Sequence, residues 1–174
     1  MSIFFVGGIH GVGKSSLSNL LAKPLNAEHL IASELIKYVP DPGDPTGKTV
    51  SNIAQNQDRL VAELKRRLVP GVDVILDGHF CLLTKEHHIA RIPLATFRAI
   101  HPAALLLVEA PSRQTQSQLE HREGRPYDSA LLLDLAKEER THAQFVSSSL
   151  AVPLKIWRPD LGVEDALQFI QSCR

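Results

Sequence analysis

Hydrophobic and polar positions along the chain sort into two periods. Ile3-Phe4-Phe5-Val6 is an unbroken apolar run followed by glycine, the pattern of a strand buried on both faces of a parallel sheet. From 16 to 23, Leu17, Leu20 and Leu21 recur at helical spacing, and Pro24 marks the end. Residues 27–32 read as a second strand, and Ser33 reads as the N-cap of a short helix over 34–39. Residues 40–48 hold three prolines and two glycines and read as a loop. Helical spacing returns over 49–69, where Val50, Ile53, Leu60, Val61, Leu64 and Leu68 form one stripe, and Pro70-Gly71 stops it. Residues 72–76 form an apolar strand that ends in Asp77-Gly78. Residues 81–101 show no clear period apart from a short helix over 93–100. A fourth strand follows over 103–109, and Pro111 opens a helix that Gly124 and Pro126 break. A long helix over 129–150, a fifth strand over 152–157 and a closing helix over 163–172 complete the pattern. Strands alternating with helices predict an α/β fold, a five-stranded parallel sheet with helices on both faces and the first strand near its centre.

Between the first strand and the first helix lies Gly8-Ile9-His10-Gly11-Val12-Gly13-Lys14-Ser15, which fits G-x-x-x-x-G-K-[ST]. The chemistry requires that order of residue types. Gly8, Gly11 and Gly13 admit turns that a Cβ would forbid, so successive N–H groups can face phosphate oxygens. Lys14 supplies a point charge for the β- and γ-phosphates, and the Ser15 hydroxyl can ligate Mg2+. His10, Val12 and Ser16 complete the loop and the helix start, whose positive dipole end faces the same anion. Asp77, at the end of an apolar strand, is where such a site places the carboxylate that holds Mg2+. Arg122 and Arg125 flank the break at Gly124 and read as lid cations over a transferring phosphoryl group. His87-His88 is no metal pair, because adjacent residues do not converge on one ion.

The chain of 174 residues is long enough for one domain with a sizeable core. Lys+Arg and Asp+Glu each number 19, a balance that argues against binding long nucleic acid through bulk charge. Cys81 and Cys173 are the only cysteines and form no C-x-x-C, which points to a reduced, cytoplasmic setting. No apolar stretch reaches membrane-spanning length, and the N-terminal run is too short for a signal peptide.

These residues resemble the nucleoside monophosphate kinase family of P-loop proteins, above all compact adenylate kinases of the archaeal type. The resemblance rests on the glycine loop, on Leu30-Ile31-Ala32-Ser33-Glu34-Leu35-Ile36-Lys37, on Leu76-Asp77-Gly78-His79-Phe80, and on the spacing of Arg122, Arg125 and Asp128. It implies a P-loop NTPase fold of the nucleotide kinase type, with an acceptor segment over about 32–69 and a short lid over about 118–130. It further implies ATP and Mg2+ as cofactors, Ser33, Lys37 and Gln57 facing the acceptor, and transfer to a nucleoside monophosphate. The chain departs from the family pattern at four places. His10 stands where proline is common, Lys37 where arginine is usual, Gln118 where the lid motif has arginine, and the arginine of the Asp-Gly-Phe-Pro-Arg segment is absent. A hydroxyl acceptor has no phosphate for that arginine to hold, so a kinase of a nucleoside, small molecule or polynucleotide 5′ end is an open alternative. An ATP-binding switch or assembly factor with weak hydrolysis is another.

Overall fold

The structure is a computed structural model that describes residues 1–37, 53–84, 88–111, 115, 117, 121 and 128–174. The loop expected over 40–48 and the lid arginines Arg122 and Arg125 lie outside the described residues, as does the side chain of Lys37. The central strand is β1 (Ile3–Gly7), followed by α1 (Lys14–Leu25), β2 (Ala27–Ile31), α2 (Ala32–Lys37), α3 (Ile53–Arg67) and β3 (Asp73–Asp77). A hairpin of β4 (Cys81–Leu83) and β5 (Ile89–Arg91) leads to α4 (Leu94–Ile100) and β6 (Ala104–Val108). The chain closes with α5 (Ser129–Leu150), β7 (Leu154–Trp157), a 3-10 turn at Pro159–Leu161 and α6 (Gly162–Ser172).

The sheet runs β2-β3-β1-β6-β7, all parallel, with β1 in the middle as expected. Alternation along β1 explains why both faces are covered. Ile3 and Phe5 face a core completed by Leu60 and Leu64 of α3, Phe97 and Ile100 of α4, and Ala143 and Val146 of α5. Phe4 and Val6 face the opposite core, with Leu17, Leu21 and Leu25 of α1 and Ala166 and Ile170 of α6. β3 and β6 divide their residues the same way, Leu76 and Leu107 to the first core, Ile75 and Leu106 to the second. A parallel strand with helices on both faces has no polar side to offer, hence the unbroken apolar runs.

Two expectations are corrected, and a region without a clear period gains a structure. Pro24 lies inside α1 and does not end it; the helix stops two residues later, where Asn26 takes a left-handed conformation and its N–H bonds back to Ala22 and Lys23. Ser33 is inside the first turn of α2, which starts one residue before it, and so is not the N-cap. The region after Cys81 contains a hairpin in which Cys81 pairs with Arg91 and Leu83 with Ile89. Thr84 closes it by donating from its N–H to the His88 carbonyl (2.8 Å) and accepting from the His88 N–H at Oγ1 (3.2 Å).

An aromatic trio fills the first core. Phe5 meets Phe80 edge-on at 5.0 Å and Phe97 edge-on at 5.2 Å, and Phe80 stacks on Phe97 at 5.5 Å. Phe97 is fully buried. Its replacement by alanine is expected to lower unfolding free energy by about 3–5 kcal/mol, read from the midpoint shift in urea titrations.

Candidate active site

The turn after β1 exists because of its glycines. Gly8 has φ 144°, and a Cβ there would sit 2.5 Å from the Val108 carbonyl oxygen at the end of β6. Gly13 is left-handed, with φ 97°, and caps α1. The chain therefore folds back over the carboxyl ends of β1 and β3 and forms a cleft of about 370 Å³. His10, Gly11, Gly13, Lys14, Ser15 and Ser16 line one side; Ile31, Ser33, Asp77 and His79 line the other. The amino end of α1 opens into it, where backbone N–H groups and the helix dipole favour an anion. Gly8 and Val12 border a second cavity of about 360 Å³ behind the loop, whose rim carries Arg140 paired with Glu109 through Nε (2.7 Å) and Nη2 (2.5 Å).

Lys14 is buried, and its Nζ donates to the Ile9 carbonyl at 2.9 Å, which lays the ammonium across the loop. Asp77 closes β3 in register with Val6 and Ile31. Ser15 Oγ donates to Asp77 Oδ2 at 2.5 Å. Burial works against ionisation of Asp77, but the adjacent His29 and Ser15 and the charge of Lys14 hold its carboxyl below the usual value. His29 Nδ1 donates to Asn19 Oδ1 at 2.8 Å; its buried Nε2 has no hydrogen-bond partner and stands 3.8 Å from Asp77 Oδ2. Two hard oxygens together with an orphaned ring nitrogen fit a hydrated Mg2+ held by Ser15 and Asp77, one of whose waters would meet His29. Among the described residues no group of three or more His, Cys, Asp or Glu is placed to hold a metal by itself, and no helix is long and apolar enough to cross a membrane.

His79 is the functional candidate that the spacing analysis did not single out. Its Nδ1 donates to the Gly8 carbonyl at 2.7 Å, and its ring lies 4.1 Å from that of His10. Burial, reinforced by the Lys14 charge, lowers its pKa to about 3, so the ring is neutral at physiological pH. Behind it, Glu139 of α5 accepts the Phe80 N–H at Oε2 (3.0 Å) and the Cys81 N–H at Oε1 (3.2 Å), with Oε1 3.7 Å from His79 Nδ1. Burial pushes the Glu139 carboxyl up to about 7, against those two N–H groups and the Lys14 charge. The position where the family resemblance would put arginine is Cys81, buried, its thiol pushed up to about 12 by burial and by the charges of Glu139 and Glu138.

Beyond Ser33 and His79 the cleft adjoins a chamber of about 80 Å³ between β1, α3 and α4, lined among others by Phe5, Leu60, Phe97 and Ile100. Gln57 lies here, buried, and not in the cleft itself; Thr96 is buried in the same lining, and no motif or period singles it out. The structure thus brings Gly11, Gly13, His10, Lys14, Ser15, Ser16, Ser33 and Asp77 together, with Gly8 and Val12 behind the loop and Gln57 in the adjoining chamber. Asp128, part of the lid pattern, caps α5 by accepting the N–H groups of Ala130 (2.9 Å) and Leu131 (3.4 Å).

A protein-family profile described as AAA domain matches residues 7–133. No curated protein matches the sequence. Among solved structures, a gluconokinase from Sinorhizobium meliloti 1021 is similar with a TM-score of 0.57 at 13% identity, over 99% of this chain and 90% of its own. An uncharacterized protein from Eubacterium ventriosum is similar with a TM-score of 0.56 at 10% identity, over 99% of each chain. A sugar kinase from Janibacter sp. HTCC2649 is similar with a TM-score of 0.54 at 12% identity, over 99% of this chain and 93% of its own. At these identities the likeness is one of fold.

Native Glu139 keeps its proton up to about pH 7, whereas an unfolded glutamate loses it near 4.5, so its contribution to stability falls as pH rises between those values. Glu139→Gln cannot ionise and is expected to lose that slope. In paired urea titrations its destabilisation relative to wild type should be smaller at about pH 8 than at about pH 5.

Proposed function

The chain belongs to the AAA domain family, and on that premise we propose that it is an ATP-dependent phosphotransferase that moves a phosphoryl group onto a hydroxyl group of a small acceptor. The observation that carries this reading is the junction of cleft and chamber. Ser33 and His79 line both, so an acceptor seated in the chamber presents its reacting end to the phosphate cradle. No Lys, Arg, Asp or Glu of the described residues lines that chamber, and the position after Phe80 carries a buried thiol in place of a guanidinium. That lining suits a hydroxyl better than a second phosphate group.

The steps follow from the residues in place. The loop amides and Lys14 hold the β- and γ-phosphates and keep them in line with the acceptor. The acceptor oxygen forms a bond to the γ-phosphorus as the bond to the bridging oxygen breaks, and ADP leaves with that electron pair. The hydroxyl proton passes to the carboxylate of Asp77, the one carboxylate lining the cleft among the described residues, and from there to water. Ser15 and Asp77 would hold a Mg2+ ion, which when bound would neutralise charge on the phosphates. Arg122 and Arg125 close over the transferring group in this reading. Neutral His79, fixed through its Nδ1–H, orients the acceptor without adding a cation to the cradle.

A nucleoside monophosphate acceptor is the second reading, supported by Ser33 and Gln57 lining the chamber beside the cleft. Transfer of label from γ-labelled ATP across a panel of gluconate, nucleosides, 5′-hydroxyl oligonucleotides, AMP and CMP separates the two. Label on a hydroxyl compound is the expected result. Label on AMP or CMP alone would replace the first reading with the second, and label appearing only as free phosphate would favour an ATP-binding switch. Lys14→Ala is expected to reduce transfer by roughly a hundredfold or more. Ser15→Ala should raise the Mg2+ concentration needed for half-maximal rate, as measured by metal titration.

A further inference from the structure

We infer that the acceptor is an uncharged hydroxyl compound that buries a compact apolar body in the chamber beyond Ser33 and His79. The inference rests on the phosphotransferase reading and goes further by naming the class of acceptor. Three observations carry it. The first is size. The chamber holds about 80 Å³, and at about 10–15 Å³ for each water-sized occupant this is room for roughly six non-hydrogen atoms. The second is the lining. Its far wall is built from Phe5, Leu60, Phe97 and Ile100, all buried in the first core. A carboxylate or phosphate seated there would lose its water and gain no cation among the described residues. The third is the scarcity of hydrogen-bonding groups. Gln57 and Thr96 are the two buried polar side chains of the lining besides the His79 ring at its mouth. A polyhydroxylated acid would leave most of its hydroxyls unpaired, and such a loss discriminates strongly between acceptors. An apolar body gains from the same walls. Ser33 and His79, which line both chamber and cleft, mark the end that opens toward Ser15 and Asp77, so the body points inward and the hydroxyl outward.

The test is equilibrium binding to the full chain by NMR titration, with Mg2+ and a non-hydrolysable ATP analogue present. Benzyl alcohol is the probe, and gluconate and CMP are the comparators. Saturable benzyl alcohol binding, at least about tenfold tighter than either comparator, is the expected result. Ala32→Phe, which fills the chamber from α2, should weaken it about tenfold or more and leave affinity for the ATP analogue unchanged. Ile36→Phe narrows the chamber from a partly exposed position of the same helix and should also weaken benzyl alcohol binding about tenfold or more, which keeps the test available if Ala32→Phe fails to fold; an unchanged affinity there would equally overturn the inference. Gluconate or CMP binding as tightly as benzyl alcohol would overturn the inference. So would absent or non-saturable benzyl alcohol binding, or an unchanged affinity in Ala32→Phe. Each of these leaves the phosphotransferase reading standing as long as the ATP analogue binds; failure of the analogue itself to bind would instead overturn that reading.

Discussion

The hydrogen bond from Ser15 to Asp77 joins the first turn of α1 to the last residue of β3, and the site depends on it. It can form only because β1 and β3 run in one register, with Val6 opposite Asp77. That register is held by burial. Phe5 and Phe4 belong to different cores, and a slip of one residue would send each to the wrong face. The same slip would carry Asp77 away from the glycine loop. Packing in the middle of the sheet thus fixes the distance between two oxygens at its edge.

The parts legible in the sequence are those whose constraint is local. The glycine loop reads by spacing because each residue type serves the turn it occupies, as Gly8 against Val108 and Gly13 at the head of α1 illustrate. The buried strands read as apolar runs because a parallel sheet hides both faces. Asp77 reads because it ends such a run. His79 and Glu139 did not, since their partners are 71 and 58–59 residues away in the chain, and only the fold brings them to Gly8, Phe80 and Cys81. The hairpin of β4 and β5 was hidden for another reason: strands of three residues are too short to show a period. Ser33 misled because a serine before an apolar run signals a cap, whereas packing starts the helix one residue earlier. The roles expected of Lys37, Arg122 and Arg125 concern side chains outside the described residues.

The electrostatics behind the loop follow one rule. Burial shifts His79 down and Glu139 up, each toward its neutral form. Lys14 is thereby the cation of the loop, with Asp77 as the carboxylate across the cleft. A site that must hold a highly charged anion is better served by one placed cation and oriented amides than by a crowd of mutually cancelling ions. The chamber beyond Ser33 and His79 shows the same economy, with no Lys, Arg, Asp or Glu among its described lining residues.

Glu139 has one more consequence. Its two oxygens grip consecutive amides, those of Phe80 and Cys81, and so brace the segment after Asp77 against α5 like a two-point bracket. A single hydrogen bond would act as a pivot; two adjacent ones remove the rotation. α5, whose first turn is capped by Asp128, is thereby joined at two points to the segment that carries His79. One buried carboxyl group thus ties α5 to the segment that lines both cleft and chamber.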